Sequence, residues 1–188
     1  MLIGVLALQG GYYEHINHLV QLDIPYCLIK SKDDLKDIDG LIIPGGESTS
    51  INILLDSFHL KEAIINRIAS GLCVWGTCAG LISIAKHISG QAPIMPLMAI
   101  SVQRNAYGSQ LASFTTSKAI SVVANHEIPL VFIRAPWIES VEPTVSVLAT
   151  HNQRIIMARQ NNMLVTTFHP ELTTDTSVLK YFISMIKV

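Results

Sequence analysis

The chain has 188 residues, 49% of them hydrophobic and 14% charged, with a formal net charge of -1. That length suits one domain spanning residues 1–188 with a sizeable buried core, and the charge balance leaves no basic footprint for nucleic acid and no cationic face for a membrane. Three cysteines, an odd number without framework or metal-ligand spacing, point to reduced thiols in a cytoplasmic protein and to no metal site.

The chain opens on Met1-Leu2-Ile3-Gly4-Val5-Leu6-Ala7-Leu8, which is apolar, lacks a preceding basic region and is cut short by Gln9-Gly10-Gly11. It reads as a first strand, Leu2 to Leu8, rather than a signal peptide. No apolar run approaches the roughly 18 to 20 residues of a membrane span. A helix is predicted over Tyr12 to Leu22, then strands at Tyr26 to Ile29 and Gly40 to Ile43. Helices follow at Ser50 to Ser57 and Leu60 to Ser70, then a strand at Leu72 to Trp75 and a helix over Ala79 to Ser89. This alternation favours a parallel sheet covered on both faces. From Ile120 onward strands crowd together, at Ile120 to Ala124, Leu130 to Ile133, Val145 to Thr150, Arg154 to Gln160 and Met163 to Phe168, before a last helix over Thr174 to Ile186. Asn161-Asn162 reads as a tight turn, so an antiparallel portion is expected in the C-terminal half. The fold class is α/β: three layers, with a mostly parallel central sheet flanked by helices.

Three segments carry chemistry. In Gly76-Thr77-Cys78-Ala79-Gly80 a strand breaks at a cysteine and continues as a helix, the layout of a nucleophile elbow. Small flanking residues let the backbone take strained angles, and the opening amides of the helix turn their partial positive charge toward the sulfur. His169-Pro170-Glu171 is the second segment. Proline disfavours helical angles at His169, so the stretch is expected to be extended, with Glu171 and His169 projecting to one side. Glu171 can then fix the tautomer of an imidazole that faces Cys78. The third segment, Pro44-Gly45-Gly46-Glu47-Ser48-Thr49-Ser50, follows an apolar strand. Its glycine pair lets backbone amides approach a ligand at the carboxyl edge of the sheet. Amides of Gly46 and Ala79 are candidates for an oxyanion hole; an ordinary loop with Ser48 or Thr49 as helix cap is the plainer alternative. Cys27 and Cys73 read as small core residues. His15, His18, His59, His87, His126 and His151 read as surface or satisfied core histidines.

In this order and at these separations the three segments resemble the triad-type (class I) glutamine amidotransferases, whose fold is flavodoxin-like. Within that family the chain is most similar to the glutaminase subunits of pyridoxal 5'-phosphate synthase. The further shared segments are Leu6-Ala7-Leu8-Gln9-Gly10 with Glu14-His15, Val102-Gln103-Arg104-Asn105-Ala106-Tyr107-Gly108, Phe132-Ile133-Arg134-Ala135-Pro136, and Phe168 to Thr173. The resemblance implies Cys78 as nucleophile, His169 as general acid and base, and Glu171 as its orienting carboxylate. It implies glutamine contacts at Gly46, Glu47, Ser48, Arg104, Ile133 and Arg134, and a segment responsive to partner docking at Gln9 and Gly10. It also implies L-glutamine as substrate, a synthase subunit as partner in a hetero-oligomeric complex, and no cofactor in this subunit. The chain departs from the family pattern at Gly11, Ala99, Ser109, Ser177 and Leu179, positions expected to bear on docking. Other readings stay open: the glutaminase subunit of another amidotransferase, such as that of histidine biosynthesis; a cysteine hydrolase on a similar sheet; or a non-catalytic regulatory subunit of the same fold.

Overall fold

The computed structural model describes residues 1–104 and 113–186. The stretch Asn105 to Ser109 singled out above lies outside the described residues. The first half alternates as expected: β1 (Ile3–Leu6), α1 (Tyr12–Gln21), β2 (Tyr26–Ile29), β3 (Gly40–Ile43), α2 (Ser48–Ser57), α3 (Lys61–Ala69), β4 (Cys73–Thr77) and α4 (Ala79–Ile84). The rest is strand-rich: β5 (Ala85–Ile88), β6 (Met98–Gln103), β7 (Ser113–Ala119), β8 (Glu127–Ile133), β9 (Trp137–Val141), β10 (Ser146–His151), β11 (Arg154–Gln160) and β12 (Met163–Thr166), closed by α5 (Ser177–Met185).

The main sheet runs in the order β2-β1-β3-β4-β12-β11-β9-β6-β5, with β10 paired to β11. From β2 to β12 every pairing is parallel. From β12 through β11 and β9 to β6 the pairings are antiparallel, and β7 and β8 form a separate hairpin. The antiparallel portion is therefore present and broader than an edge. Asn161, at φ 53°, turns the chain between β11 and β12, as expected.

Side chains alternate between the faces, as strand geometry requires. Leu41, Ile43, Val74 and Val165 join Ile51, Leu55, Ile64 and Leu81 in one core. Ile3, Val5, Ile42, Trp75 and Leu164 join Ile16, Leu19, Val178 and Phe182 in the other. The central strands β1, β3, β4 and β12 are buried along their whole length.

Two expected elements are corrected. The helix from Ala79 stops at Ile84, where Ala85 turns extended (φ -69°, ψ 139°) and the chain becomes β5, paired parallel to β6. The apolar spacing at Leu81, Ile84, Ala85 and Ile88 fits a buried helix or a buried strand, and sheet pairing decided the matter. Ile120 to Ala124 is a turn rather than a strand: the Val123 and Ala124 amides both donate to the Ile120 carbonyl, and the hairpin strand ends one residue earlier, where Ala119 pairs with Glu127. Two departures from the family pattern also prove internal, since Ala99 and Leu179 are buried. They act on core packing rather than on a docking face.

Candidate active site

The loops after β1, β3, β4 and β12 all emerge at the carboxyl edge of the parallel strands, where open α/β sheets place their ligand crevices. Cys78 leaves β4 with φ 49° and ψ -102°, strained angles that suit an elbow. Two glycines make this turn possible by close approach. A side chain at Gly76 would bring a Cβ within 2.7 Å of the Gly80 backbone, and one at Gly80 would overlap the Ile43 carbonyl oxygen. The Cys78 amide donates to the Thr166 carbonyl at 2.9 Å, which ties the elbow to β12, the strand that leads to His169.

His169 is itself anchored, its amide donating to the Val131 carbonyl at 2.8 Å. Its Nδ1 lies 2.7 Å from Glu171 Oε1, which leaves Nε2 as the ring nitrogen free to serve Cys78, on the wall of the same cleft. The three groups are buried, at 7%, 9% and 5% exposure for Cys78, His169 and Glu171. Glu171 comes from a 3-10 turn, Pro170–Leu172, rather than from the extended segment expected. Proline at the first position starts that turn, because its fixed φ suits a helical start. Burial alone would push the His169 imidazolium down; its interactions with Cys78 and Glu171 reverse this and raise it to about 10. Desolvation pushes the Glu171 carboxyl up, but the two imidazoles beside it, His15 and His169, leave it below its ordinary value.

The glycine loop is held by the N-terminal segment. Gly11 donates its amide to the Gly45 carbonyl at 3.0 Å, and Gln9 Oε1 accepts from the Glu47 amide at 2.9 Å. The Gly45–Gly46 peptide is planar and trans, so its N–H lies opposite that carbonyl. Gly10, at φ 96°, has no room for a Cβ against the Gly45 oxygen. Glu47, rather than Ser48 or Thr49, is the N-cap of α2: its oxygens accept from the amides of Thr49 (2.9 Å) and Ser50 (2.7 Å). These bonds lower its carboxyl to about 2, the Thr49 amide contributing most. Arg104 Nη2 meets the same carboxylate at 3.1 Å, and its Nη1 donates to Gln91 Oε1 at 2.8 Å. Arg134, at φ 42° just past β8, has no ion-pair partner among the described residues.

These groups surround a cleft of about 380 Å³, toward the small end of the roughly 300 to 1,000 Å³ typical of small-molecule sites. Gln9, Gly46, Glu47, Ser48, Cys78, Ala79, Arg104, Ile133, Arg134, His169 and Glu171 all line it, while Gly10 does not. Glu14, Ile82 and Leu172 also line it; Glu14 and Leu172 lie in segments that carry the family resemblance without being singled out as contacts, and Ile82 has no such signal. His15, which by sequence reads as an ordinary core histidine, lies behind Glu171, its Nε2 3.6 Å from Oε1. The pairing Glu14-His15 is its only trace in the sequence.

Residues 5–188 match the SNO glutamine amidotransferase family. The chain belongs to that family. It is 49% identical over 187 residues to a protein of Thermoanaerobacter sp. (strain X514) named pyridoxal 5'-phosphate synthase subunit PdxT, covering 98% of this chain and 99% of that one. It is 46% identical over 188 residues to the protein of the same name from Desulforamulus reducens, covering the whole of both. Among solved structures it is similar to a glutamine amidotransferase crystal structure at 36% identity and TM-score 0.94, covering 99% of each chain. PurLQS from Thermotoga maritima, at 16% identity and TM-score 0.64 over 99% of this chain and 98% of that one, shares the fold. Among the described residues of this amidotransferase no helix is long and apolar enough to cross a membrane.

Proposed function

We propose that this amidotransferase hydrolyses L-glutamine to L-glutamate and ammonia through Cys78, His169 and Glu171, and hands the ammonia to a pyridoxal 5'-phosphate synthase subunit. The observation that carries the reading is the gathering of buried Cys78, His169 and Glu171 at one cleft, with His169 Nδ1 held by Glu171 Oε1 at 2.7 Å. Cys78 passes its thiol proton to His169 as Sγ attacks the side-chain carbonyl carbon of glutamine, and the electron pair of the C=O moves to oxygen. Amides of Gly46 and Ala79 are the donors proposed for that oxyanion. The His169 imidazolium gives its proton to the departing nitrogen, ammonia leaves, and a γ-glutamyl thioester remains on Cys78. Water then gives a proton to His169 and attacks the thioester, releasing glutamate and regenerating the thiol. Glu171 holds the ring in the tautomer that makes both transfers possible.

Glutamine arrives as a zwitterion. Arg134, with no competing ion pair among the described residues, is the cation proposed for its α-carboxylate; Glu47 and Arg104, already paired, shape the wall beside it together with Ser48 and Ile133. The bond from Gln9 to the Glu47 amide supports a switch at Gln9-Gly10, since moving that side chain alters the loop that carries Gly46. The names of the relatives support the synthase as partner, and three free cysteines support a cytoplasmic setting. The deciding experiment is ammonia release from glutamine by the purified chain, alone and mixed with a synthase subunit from the same source. Activation by the partner is expected. Turnover indifferent to it would leave a glutaminase of another pathway, and none in either condition would leave a non-catalytic subunit.

A further inference from the structure

Helix α1 turns two buried histidines toward the segment that carries His169 and Glu171. His15 is 1% exposed and His18 is 5% exposed, and polar groups so deeply buried are held by partners inside the fold. The role of His18 is plain, since its Nε2 lies 2.7 Å from the Thr173 carbonyl oxygen and pins the chain just past Glu171. His15 reaches deeper. Its ring stands edge-on to Trp75, with centroids 5.2 Å apart. Its Nε2 is 3.3 Å from Thr77 Oγ1 and 3.6 Å from Glu171 Oε1. That oxygen is the one His169 Nδ1 holds at 2.7 Å. The other oxygen, Oε2, is buried without a hydrogen-bond partner among the described residues. In so dry a place a half-satisfied carboxylate depends strongly on each donor it has.

We infer that His15 is a positioning residue of the triad, donating its Nε2–H toward Glu171 Oε1 and Thr77 Oγ1 and so keeping Glu171 ionised and aimed at His169. The inference rests on the glutaminase reading above for its consequence, though not for its geometry. Burial lowers the His15 imidazolium below its ordinary value, so the ring is neutral near neutral pH and its tautomer decides its effect. With hydrogen on Nε2 it donates to the carboxylate; with a lone pair there it would repel it. Glu171 and Glu14 pull against the lowering, while His18 and His169 add to it. The tautomer with Nε2–H is the one the neighbouring charge selects. His15 thus sets Glu171 as Glu171 sets His169.

The test uses the full chain in complex with the synthase subunit. His15→Phe keeps a ring against Trp75 and removes the donor; His15→Gln puts an amide N–H near the place of Nε2. The Phe variant is expected to lose about tenfold to hundredfold in kcat, with KM for glutamine within about twofold. The acid limb of its kcat/KM profile should move to higher pH, because Glu171 without its donor takes up a proton more readily; the Gln variant should recover most of both. A role in packing alone lowers the thermal midpoint of both variants and leaves the limb in place. That result, or wild-type kcat in His15→Phe, overturns the inference. Should the Phe variant not fold, His15→Asn replaces it, since its amide stops near the Nδ1 position; equal kcat in Asn and Gln variants then overturns the inference. Alkylation of Cys78 by iodoacetamide against pH reads the thiol and imidazole without turnover. A wild-type complex that releases no ammonia sinks the glutaminase reading, and a shifted alkylation limb in His15→Phe still upholds the positioning role.

Discussion

Gly80 is where the helix of the elbow touches the sheet. A Cβ there would overlap the Ile43 carbonyl oxygen and lie 2.8 Å from the Ile43 carbonyl carbon. Both atoms belong to the backbone of a strand buried along its whole length, so no side chain can swing aside. Non-bonded carbons rest about 3.5 to 4.0 Å apart, so the carbonyl carbon alone demands that α4 and β3 separate by roughly 0.7 to 1.2 Å, and the nearer oxygen demands more. Overpacking of this kind costs about 1 to 3 kcal/mol. At about 2 to 4 °C per kcal/mol for a chain of this size, the thermal midpoint should fall by about 2 to 12 °C. The larger effect is on chemistry. Cys78 and Ala79 ride on the first turn of α4, and a misplacement of about 1 Å can cost on the order of 100-fold in rate. Gly71→Ala is the control: Gly71 has φ 104° and nothing within 4 Å of a Cβ, so the substitution strains the backbone by about 1 to 3 kcal/mol away from the cleft. The two variants should lose similar stability by thermal melting, and only Gly80→Ala should lose kcat in the ammonia assay with the partner present. Wild-type kcat in a folded Gly80→Ala, or an equal loss in Gly71→Ala, would refute the idea that this contact places the nucleophile.

Cys78→Ala should abolish ammonia release while leaving association with the synthase subunit intact on size-exclusion chromatography; retained hydrolysis would remove Cys78 from the nucleophile's role. Arg134→Ala should raise KM for glutamine about tenfold or more, through loss of a charge-assisted bond, and Arg104→Ala should raise it less because Glu47 already neutralises Arg104; the reverse order in steady-state kinetics would exchange their roles. Glu47→Ala should cost about 1 kcal/mol through the lost helix cap. Because the Glu47 carboxyl is lowered from 4.5 to about 2, that contribution is present above 4.5 and lost as pH falls through about 2. The gap in thermal midpoint between wild type and variant should therefore close as the pH falls from about 5 to 2, and a gap that stays constant would deny the cap its charge.

What is legible in the sequence is whatever local chemistry dictates. The strands Tyr26–Ile29, Gly40–Ile43 and Arg154–Gln160 stand where the apolar runs end, because turn residues bound them on both sides. The elbow, the glycine loop and His169-Pro170-Glu171 are visible because each needs unusual residues close together in sequence. What long-range pairing dictates is hidden. The segment Ala85–Ile88, with Lys86 and His87 exposed between two buried ends, becomes a strand only because β6 offers it a ladder. Ser113–Ala119, with alternately exposed residues and little apolar content, gives no core signal at all. Glu47 as helix cap escapes a sequence reading because Ser48 and Thr49 beside it are the commoner capping residues. His15 escapes it because its partners, Thr77 and Glu171, are brought to it only by the assembled sheet.

The placement of strain in this molecule follows from its stiffness. Cys78 at φ 49° and Arg134 at φ 42° each hold angles that cost on the order of 1 to 3 kcal/mol, and Glu171 adds a buried oxygen without a hydrogen bond among the described residues. Such features persist only where the surroundings over-determine them. Cys78 follows β4, flanked by β3 and β12, and all three strands are fully buried; its amide is pinned to Thr166 on one of them. Relaxing Cys78 to ordinary helical angles would break that bond and drive Gly80 off Ile43, so the sheet's burial energy opposes the local relaxation. Glu171 is confined differently, between the anchored amide of His169 on one side and the two histidines of α1 on the other. A carboxylate held this way needs no movement when charge appears on His169, since its position is already that of the ion pair. The groups that would react are thus also those with the least freedom to rearrange, which is the physical content of a preorganised site on this sheet.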